Sequence, residues 1–208
     1  LGHELRNPLT PINTIATLLH TKSLAPDDFK WACDALLRNV QIINRLVSDL
    51  MDVSRITRGL ITLHLEHIEL TKLIEDALQT VNELINAKQQ TLRFTHQQKP
   101  IMICGDQVRL MQIFTNLIHN ATKYTHAGGH IGIELRIDHD HAIFQIQDNG
   151  RGISADFLPY IFELFAQDSD SIRDHSQGGL GIGLTLVKKL VELHKGHITA
   201  HSAGLNKG

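Results

Sequence analysis

Asn116 and Asn120 stand four residues apart, with Lys123 and Tyr124 one turn further on. On a helix, positions i and i+4 share a face. Most neighbours are apolar (Val108, Leu110, Met111, Ile113, Phe114, Leu117 and Ile118), so two amides on this otherwise buried helix need partners. A carboxamide oxygen can ligate Mg2+, which takes oxygen donors and usually water and phosphate oxygens too. A lysine can neutralise phosphate as a point charge. Capping or core amide bonds are the plainer alternative. Asp148-Asn149-Gly150-Arg151-Gly152-Ile153 follows a strand pattern. A carboxylate there, beside two glycines, can accept a hydrogen bond from a ligand amine, although Asp-Asn-Gly also suits a simple tight turn. Gly178-Gly179-Leu180-Gly181-Ile182-Gly183 stands just before a helix pattern. Glycines let backbone approach a ligand, and a helix N-terminus favours anions; a glycine turn of structural origin explains the same residues.

At the other end of the chain, His3, Asn7 and Thr10 are spaced as one polar helix face. Neutral imidazole is a nucleophile, and Glu4 beside it can accept its proton or fix its tautomer. Taken alone, the segment reads as a solvated surface histidine. His139-Asp140-His141 is the densest histidine cluster. It supplies two candidate metal ligands and no third nearby, so it reads as a polar turn between two strands.

The elements that must hold these groups follow from periodicity. Leu5, Leu9, Ile12, Ala16 and Leu19 alternate in steps of four and three, the seam of a helix over residues 1–22. Pro8 interrupts it by removing a backbone bond. After a short break at Ser23–Pro26, Asp27 or Asp28 offers an N-cap to a second helix running to Thr57, with seam Leu36, Val40, Ile43, Val47 and Leu50. Such a hairpin has more apolar stripe than it can cover alone, which predicts pairing of two copies into a four-helix bundle; packing of the stripe on the C-terminal domain is the alternative. After Arg58-Gly59 the period changes. Strands are expected at 61–65, 91–95, 101–104, 130–137, 142–147 and 197–201. Helices are expected at 70–88, 106–124 and 182–194, with a loop and one short helical piece near Leu158–Phe165 between 154 and 180. The order argues for an α+β chain, in which the helical hairpin precedes a two-layer α/β sandwich. The expected domains are 1–58 and 59–208.

Composition narrows the class. The 208 residues are 42% hydrophobic and 20% charged, as in a globular protein, with a net charge of −2. That charge leaves no electrostatic footprint for nucleic acid or an anionic membrane. No run of 18 apolar residues is present, so no membrane contact is expected within this chain. Cys33 and Cys104 lack metal-ligand spacing and read as reduced thiols of a cytoplasmic protein.

Four short segments in this order resemble the ATP-binding boxes of the histidine kinases. Asn116-Leu-Ile-His-Asn120-Ala-Thr-Lys123-Tyr-Thr is similar to their N box, and Asp148-Asn-Gly-Arg-Gly-Ile153 to the G1 box. Ile161-Phe-Glu-Leu-Phe165 is similar to the F box, and Gly179-Leu-Gly-Ile-Gly-Leu184 to the G2 box. Gyrase-type, mismatch-repair and chaperone ATPases share this wider GHKL (Bergerat) fold. Leu1-Gly-His-Glu-Leu-Arg-Asn-Pro-Leu-Thr-Pro-Ile12 separates the branches, because it is similar nearly residue for residue to the histidine-kinase H box.

The resemblance implies a sensor histidine kinase core. His3 is then the phosphoacceptor, with Glu4 and Asn7 assisting, and Asn116 and Lys123 also serve catalysis. Asn120 ligates Mg2+. ATP is held by Asn116, Asn120, Lys123, Tyr124, Asp148 (at the adenine), Gly150, Gly152, Ile153, Phe165, Gly179, Leu180, Gly181, Gly183 and Leu184. The stretch from Glu163 to Gly179 corresponds to the ATP lid. The implied cofactors are ATP and Mg2+. The implied partners are a second copy through the hairpin, a response-regulator receiver domain and an upstream sensor domain outside this chain. Glu4 and Asn7 also match the pattern by which family members dephosphorylate the regulator. The chain starts two residues before His3 and ends at Gly208, so part of the first helix and a closing strand are expected outside it; a parent protein can carry a membrane anchor or, as in hybrid kinases, a fused receiver. Two other readings remain. One is a pseudokinase that only dimerises, and the other a conformational ATPase. Against the latter, Asn116 occupies the place where the chaperone branch carries its water-activating glutamate.

Overall fold

The computed structural model describes residues 2–21, 24–167 and 181–208. The chain forms two compact units, Leu1–Leu60 with Leu164–Ile182, and Ile61–Glu163 with Gly183–Gly208.

In the first unit, α1 (Gly2–Thr21) and α2 (Pro26–Thr57) form the expected hairpin. Pro26 starts α2 at a position where a missing N–H costs nothing, so the N-cap is Ala25 and not the expected Asp27 or Asp28, which instead place negative charge in the first turn. Both Pro8 and Pro11 lie inside α1. The intrachain contact uses part of the expected seam, Leu19 and Leu36, and departs from the rest. Ile15, Ala32 and Ala35 form its buried cluster, with Leu19, Leu24 and Leu36 packed on it. Leu9, Val40 and Val47, expected in the seam, are exposed, as are Phe29, Leu37 and Met51. The small residues Ala32 and Ala35 let the two helices approach closely, so the contact turns toward them. The bulkier stripe is left outside.

In the second unit the strands form two small sheets. β1 (Glu66–Glu69) pairs antiparallel with β3 (Met102–Gly105). β2 (Thr91–His96), β4 (His130–Asp138) and β5 (His141–Asp148) form a sheet in the order β2-β4-β5, with β2 parallel and β5 antiparallel to β4. Ile131, Ile133 and Leu135 of β4 are all buried, alternating with exposed residues as one covered face requires. The helices of this unit are α3 (Leu70–Gln79), α4 (Asn82–Ala87), α5 (Gln107–Tyr124) and α6 (Gly183–Leu193). Leu186, Val187 and Leu190 of α6 and Ile113, Phe114 and Ile118 of α5 are buried. Phe114 meets Phe144 of β5 with ring centroids 4.9 Å apart. This is the expected two-layer sandwich. No helix among the described residues is long and apolar enough to cross a membrane.

His139 and Asp140 make the tight turn of the β4–β5 hairpin, with His139 in the left-handed region (φ 54°). No cluster of metal ligands occurs among the described residues. Four expectations need correction. The alternation at 61–65 is not a strand; β1 begins only at Glu66, where β3 supplies a partner. The helix expected over 70–88 breaks at Thr80, whose hydroxyl donates to the carbonyl of Ala77 (2.7 Å), with tight i−3 bonds from Thr80 and Val81 replacing the α pattern. The helical piece near 158–165 shrinks to a 3-10 turn, Leu158–Tyr160. Residues 197–201 find no ladder partner among the described residues.

Candidate functional site

α5 carries most of the candidate groups. Asp106 caps its N-terminus, accepting the Arg109 N–H at 3.1 Å, while its other oxygen accepts the His64 N–H at 3.0 Å. Burial pushes the Asp106 carboxyl upward in pKa, but the N–H groups of His64, Arg109 and Val108 and the Arg109 charge outweigh it and hold the carboxyl below its ordinary range. His194, just past α6, accepts the Asp106 N–H through Nε2 (3.1 Å) and bonds the Leu190 carbonyl through Nδ1 (2.7 Å). The start of α5 is therefore fixed to the end of α6.

Ten residues on, Asn116 is buried and Asn120 half-buried. Gly183, the first residue of α6, comes close to Asn116: a Cβ on that glycine would stand 4.0 Å from the amide oxygen. Lys123 donates to the Tyr124 hydroxyl at 3.2 Å. Its ammonium and the Arg151 guanidinium lie 4.8 and 5.4 Å from the Tyr124 ring centre, within cation–π range.

The loop after β5 is built against the end of that helix. Asp148 Oδ1 accepts the Gly150 N–H at 2.9 Å, an Asx-type turn. The Arg151 N–H donates to the Tyr124 carbonyl at 3.1 Å. Gly150 has no room for a side chain, because a Cβ would meet the Tyr124 carbonyl and stand 2.8 Å from Thr125 Cα. Gly152 is in the left-handed region (φ 64°), where glycine is favoured. Ile153 donates its N–H to Ser202 Oγ at 2.9 Å, and the Asn206 N–H donates to the Arg151 carbonyl at 2.6 Å. Asp148 also lines a shallow depression with His130, Gly132, Gln147 and Asn149, a surface that includes none of the α5 groups.

The structure thus joins Asp148, Gly150, Arg151, Lys123 and Tyr124 in one helix–loop corner, and Gly183 with Asn116. Leu184 follows in the first turn of α6. In the other unit, Phe165 and Gly181 meet: the Phe165 N–H donates to the Gly181 carbonyl at 3.1 Å, and both have left-handed backbones (φ 65° each). His3 and Glu4 fall at the start of α1, with side chains outside the described residues, and Asn7 is exposed on the same helix. Gly179 and Leu180, with most of the expected lid, lie outside the described residues. Sequence reasoning missed Lys88 and Gln90, which bond the end of α5, and Ser202, which braces Ile153. None lies in a recognisable motif.

Two family models match the chain. One is the His Kinase A (phospho-acceptor) domain over residues 1–59; the other is the Histidine kinase-, DNA gyrase B-, and HSP90-like ATPase over residues 105–208. The chain belongs to the sensor histidine kinases. The Circadian input-output histidine kinase CikA of Synechocystis sp. is 33% identical to this histidine kinase core over 210 residues, covering 98% of this chain and 28% of the relative. Hybrid signal transduction histidine kinase D of Dictyostelium discoideum is 31% identical over 253 residues, covering 100% of this chain and 16% of the relative. In fold, the core is similar to the Acinetobacter baumannii histidine kinase AdeS, with a TM-score of 0.75 and 24% identity over 98% of this chain and 92% of that one. The chain spans less than a third of the length of either curated relative.

Proposed function

We propose that this chain binds Mg-ATP at the corner between α5 and the Asp148–Ile153 loop and transfers the γ-phosphoryl group to His3. The bond from the Arg151 N–H to the Tyr124 carbonyl carries the reading (3.1 Å). It locks the carboxylate-and-glycine loop to the helix turn bearing Lys123. Asp148 would accept from an exocyclic amine of the base, with Ile153 beside it. Asn116 and Lys123 would meet the phosphates, and the backbones of Gly150, Gly152, Gly179, Gly181 and Gly183, with Tyr124, Phe165, Leu180 and Leu184, would complete the nucleotide site. The half-buried Asn120 amide fits Mg2+ as a single oxygen ligand beside phosphate oxygens, since Mg2+ needs few protein ligands in such sites. Bound there, the ion would neutralise charge on the transferring group.

In the transfer, a His3 ring nitrogen forms a bond to the γ-phosphorus as the bond to the ADP oxygen breaks, and ADP leaves. Glu4 accepts the imidazole proton and Asn7 lies on the same helix. The product phosphohistidine then passes its phosphoryl group to an aspartate on a response-regulator receiver domain. The same Glu4 and Asn7 suit dephosphorylation of that regulator. The exposed stripe Phe29, Leu37, Val40, Val47 and Met51 supports a homodimer through α2. The site suits a cytoplasmic kinase core taking its input from a sensor segment elsewhere in its parent protein.

Labelled ATP tests the reading. Acid-labile, base-stable phosphate on the protein, lost in His3→Gln, is expected. Fast ATP turnover surviving His3→Gln would instead favour a conformational ATPase, and nucleotide binding without either a pseudokinase.

A further inference from the structure

α5 ends without the usual device. Its last carbonyls have no intrahelical donors, and many helices meet that need with a left-handed glycine just past the end. Here the residue past the end is Thr125, in extended conformation (φ −80°, ψ 136°). The donors come from 34 residues upstream. Lys88 Nζ donates to the carbonyls of Thr122 (2.9 Å), Lys123 (2.7 Å) and Thr125 (3.2 Å). Gln90 Nε2 donates to those of Thr122 (3.0 Å), Thr125 (2.8 Å) and His126 (3.3 Å). Gln90 is buried, so its amide needs partners within the protein, and these carbonyls supply them. Between them Gln89 is left-handed (φ 52°), an uncommon state for a residue with a side chain. The turn it makes lets both neighbours reach the same helix end. The Gly128 N–H closes the arrangement on the Lys88 carbonyl (2.9 Å).

The division of the carbonyls is what matters. Lys88 and Gln90 take those of residues 122, 123, 125 and 126, while Tyr124 gives its carbonyl to Arg151 on the glycine loop. The clamp fixes the peptide planes on either side of the one plane that docks the loop. We propose that Lys88 and Gln90 are positioning residues for nucleotide binding, holding the last turn of α5 so that Lys123 faces the phosphates and the Asp148–Ile153 loop seats on Tyr124. The proposal rests on the nucleotide reading of this corner. Lys88 is near enough to Lys123 for like-charge repulsion to add to desolvation in lowering its pKa. An anion held by Lys123 offsets that repulsion, which ties the clamp to occupancy of the site.

The test uses the full chain as Lys88→Met, which keeps the stem and loses the donors, and Lys88→Arg, which keeps donors and charge. Direct titration with ATP and with ADP is measured at a temperature where circular dichroism shows each variant folded, alongside KM and kcat for autophosphorylation. Lys88→Met should raise Kd and KM about tenfold, equivalent to about 1.4 kcal/mol, and leave kcat at saturating ATP within about twofold. Lys88→Arg should recover most of the affinity. Should Lys88→Met not fold, Lys88→Gln, with one amide donor group, should fall between wild type and the full loss. Wild-type Kd in a folded Lys88→Met or Lys88→Gln protein with a lowered melting temperature would overturn the proposal, leaving a stabilising contact only. A wild-type chain that binds neither nucleotide would overturn the nucleotide reading itself.

Discussion

Asp148 uses one carboxylate oxygen, Oδ1, to hold the Gly150 N–H at 2.9 Å, the bond that shapes the loop after β5. An asparagine offers the same acceptor without the charge. Asp148→Asn should therefore keep the loop and the melting temperature while losing the charged acceptor for a base amine. Nucleotide affinity should fall about tenfold or more, since hydrogen bonds to charged groups are worth about 1.5–3 kcal/mol. Calorimetric titration with ATP beside a thermal melt separates the two effects.

Gly150→Ala should behave in the opposite way. The added methyl would stand 2.8 Å from Asp148 Oδ1 and from Thr125 Cα, and against the Tyr124 carbonyl. Relief requires the loop to leave the helix. Stability should drop by about 1–3 kcal/mol, as in other overpacked sites, and nucleotide binding should be lost with it. Urea unfolding and the same titration measure both.

Much of this was readable in advance. The hairpin helices, β2, β4, β5 and α5 announce themselves through period and turn residues, because those signals are local. Asn116, Asn120, Lys123 and Asp148 stood out because polar groups at fixed spacing on apolar elements need partners. The failures have physical causes. Ile61, Leu63 and Leu65 alternate like a strand, yet a strand also needs a ladder partner, and β3 pairs with Glu66–Glu69 instead. The contact between α1 and α2 keeps the expected Leu19 and Leu36 but adds Ala32 and Ala35, small residues that hydropathy alone ranks low. Lys88 and Gln90 act across more than 30 residues through backbone carbonyls, which leave no side-chain pattern.

Asp106 makes stability depend on acid pH. Its folded pKa lies below the ordinary 3.8, so near that value the unfolded chain binds more protons than the folded one and stability rises with pH. The contribution is complete above 3.8 and is lost as pH falls through the lower folded value. Asp106→Ala should cost about 1–2 kcal/mol at neutral pH, the usual worth of an N-cap. Its deficit against wild type should shrink below pH 3.8. Urea titrations across pH 2–7 would show it.

The uncovered stripe on α2 predicts self-association. Val40 is 43% and Val47 45% exposed in the single chain. Replacing both with glutamate should convert a dimer to a monomer in sedimentation equilibrium, because two like charges would face each other across the bundle. An unchanged dimer would place the interface elsewhere.

The most direct measurement locates the phosphate. After incubation with Mg-ATP and tryptic digestion held at neutral to alkaline pH, mass spectrometry should find the phosphoryl group on the peptide ending at Arg6, on His3, and should find none in Asp148→Asn protein at low ATP. Phosphate on another residue, or an unmodified His3 in protein that binds ATP, would contradict the account.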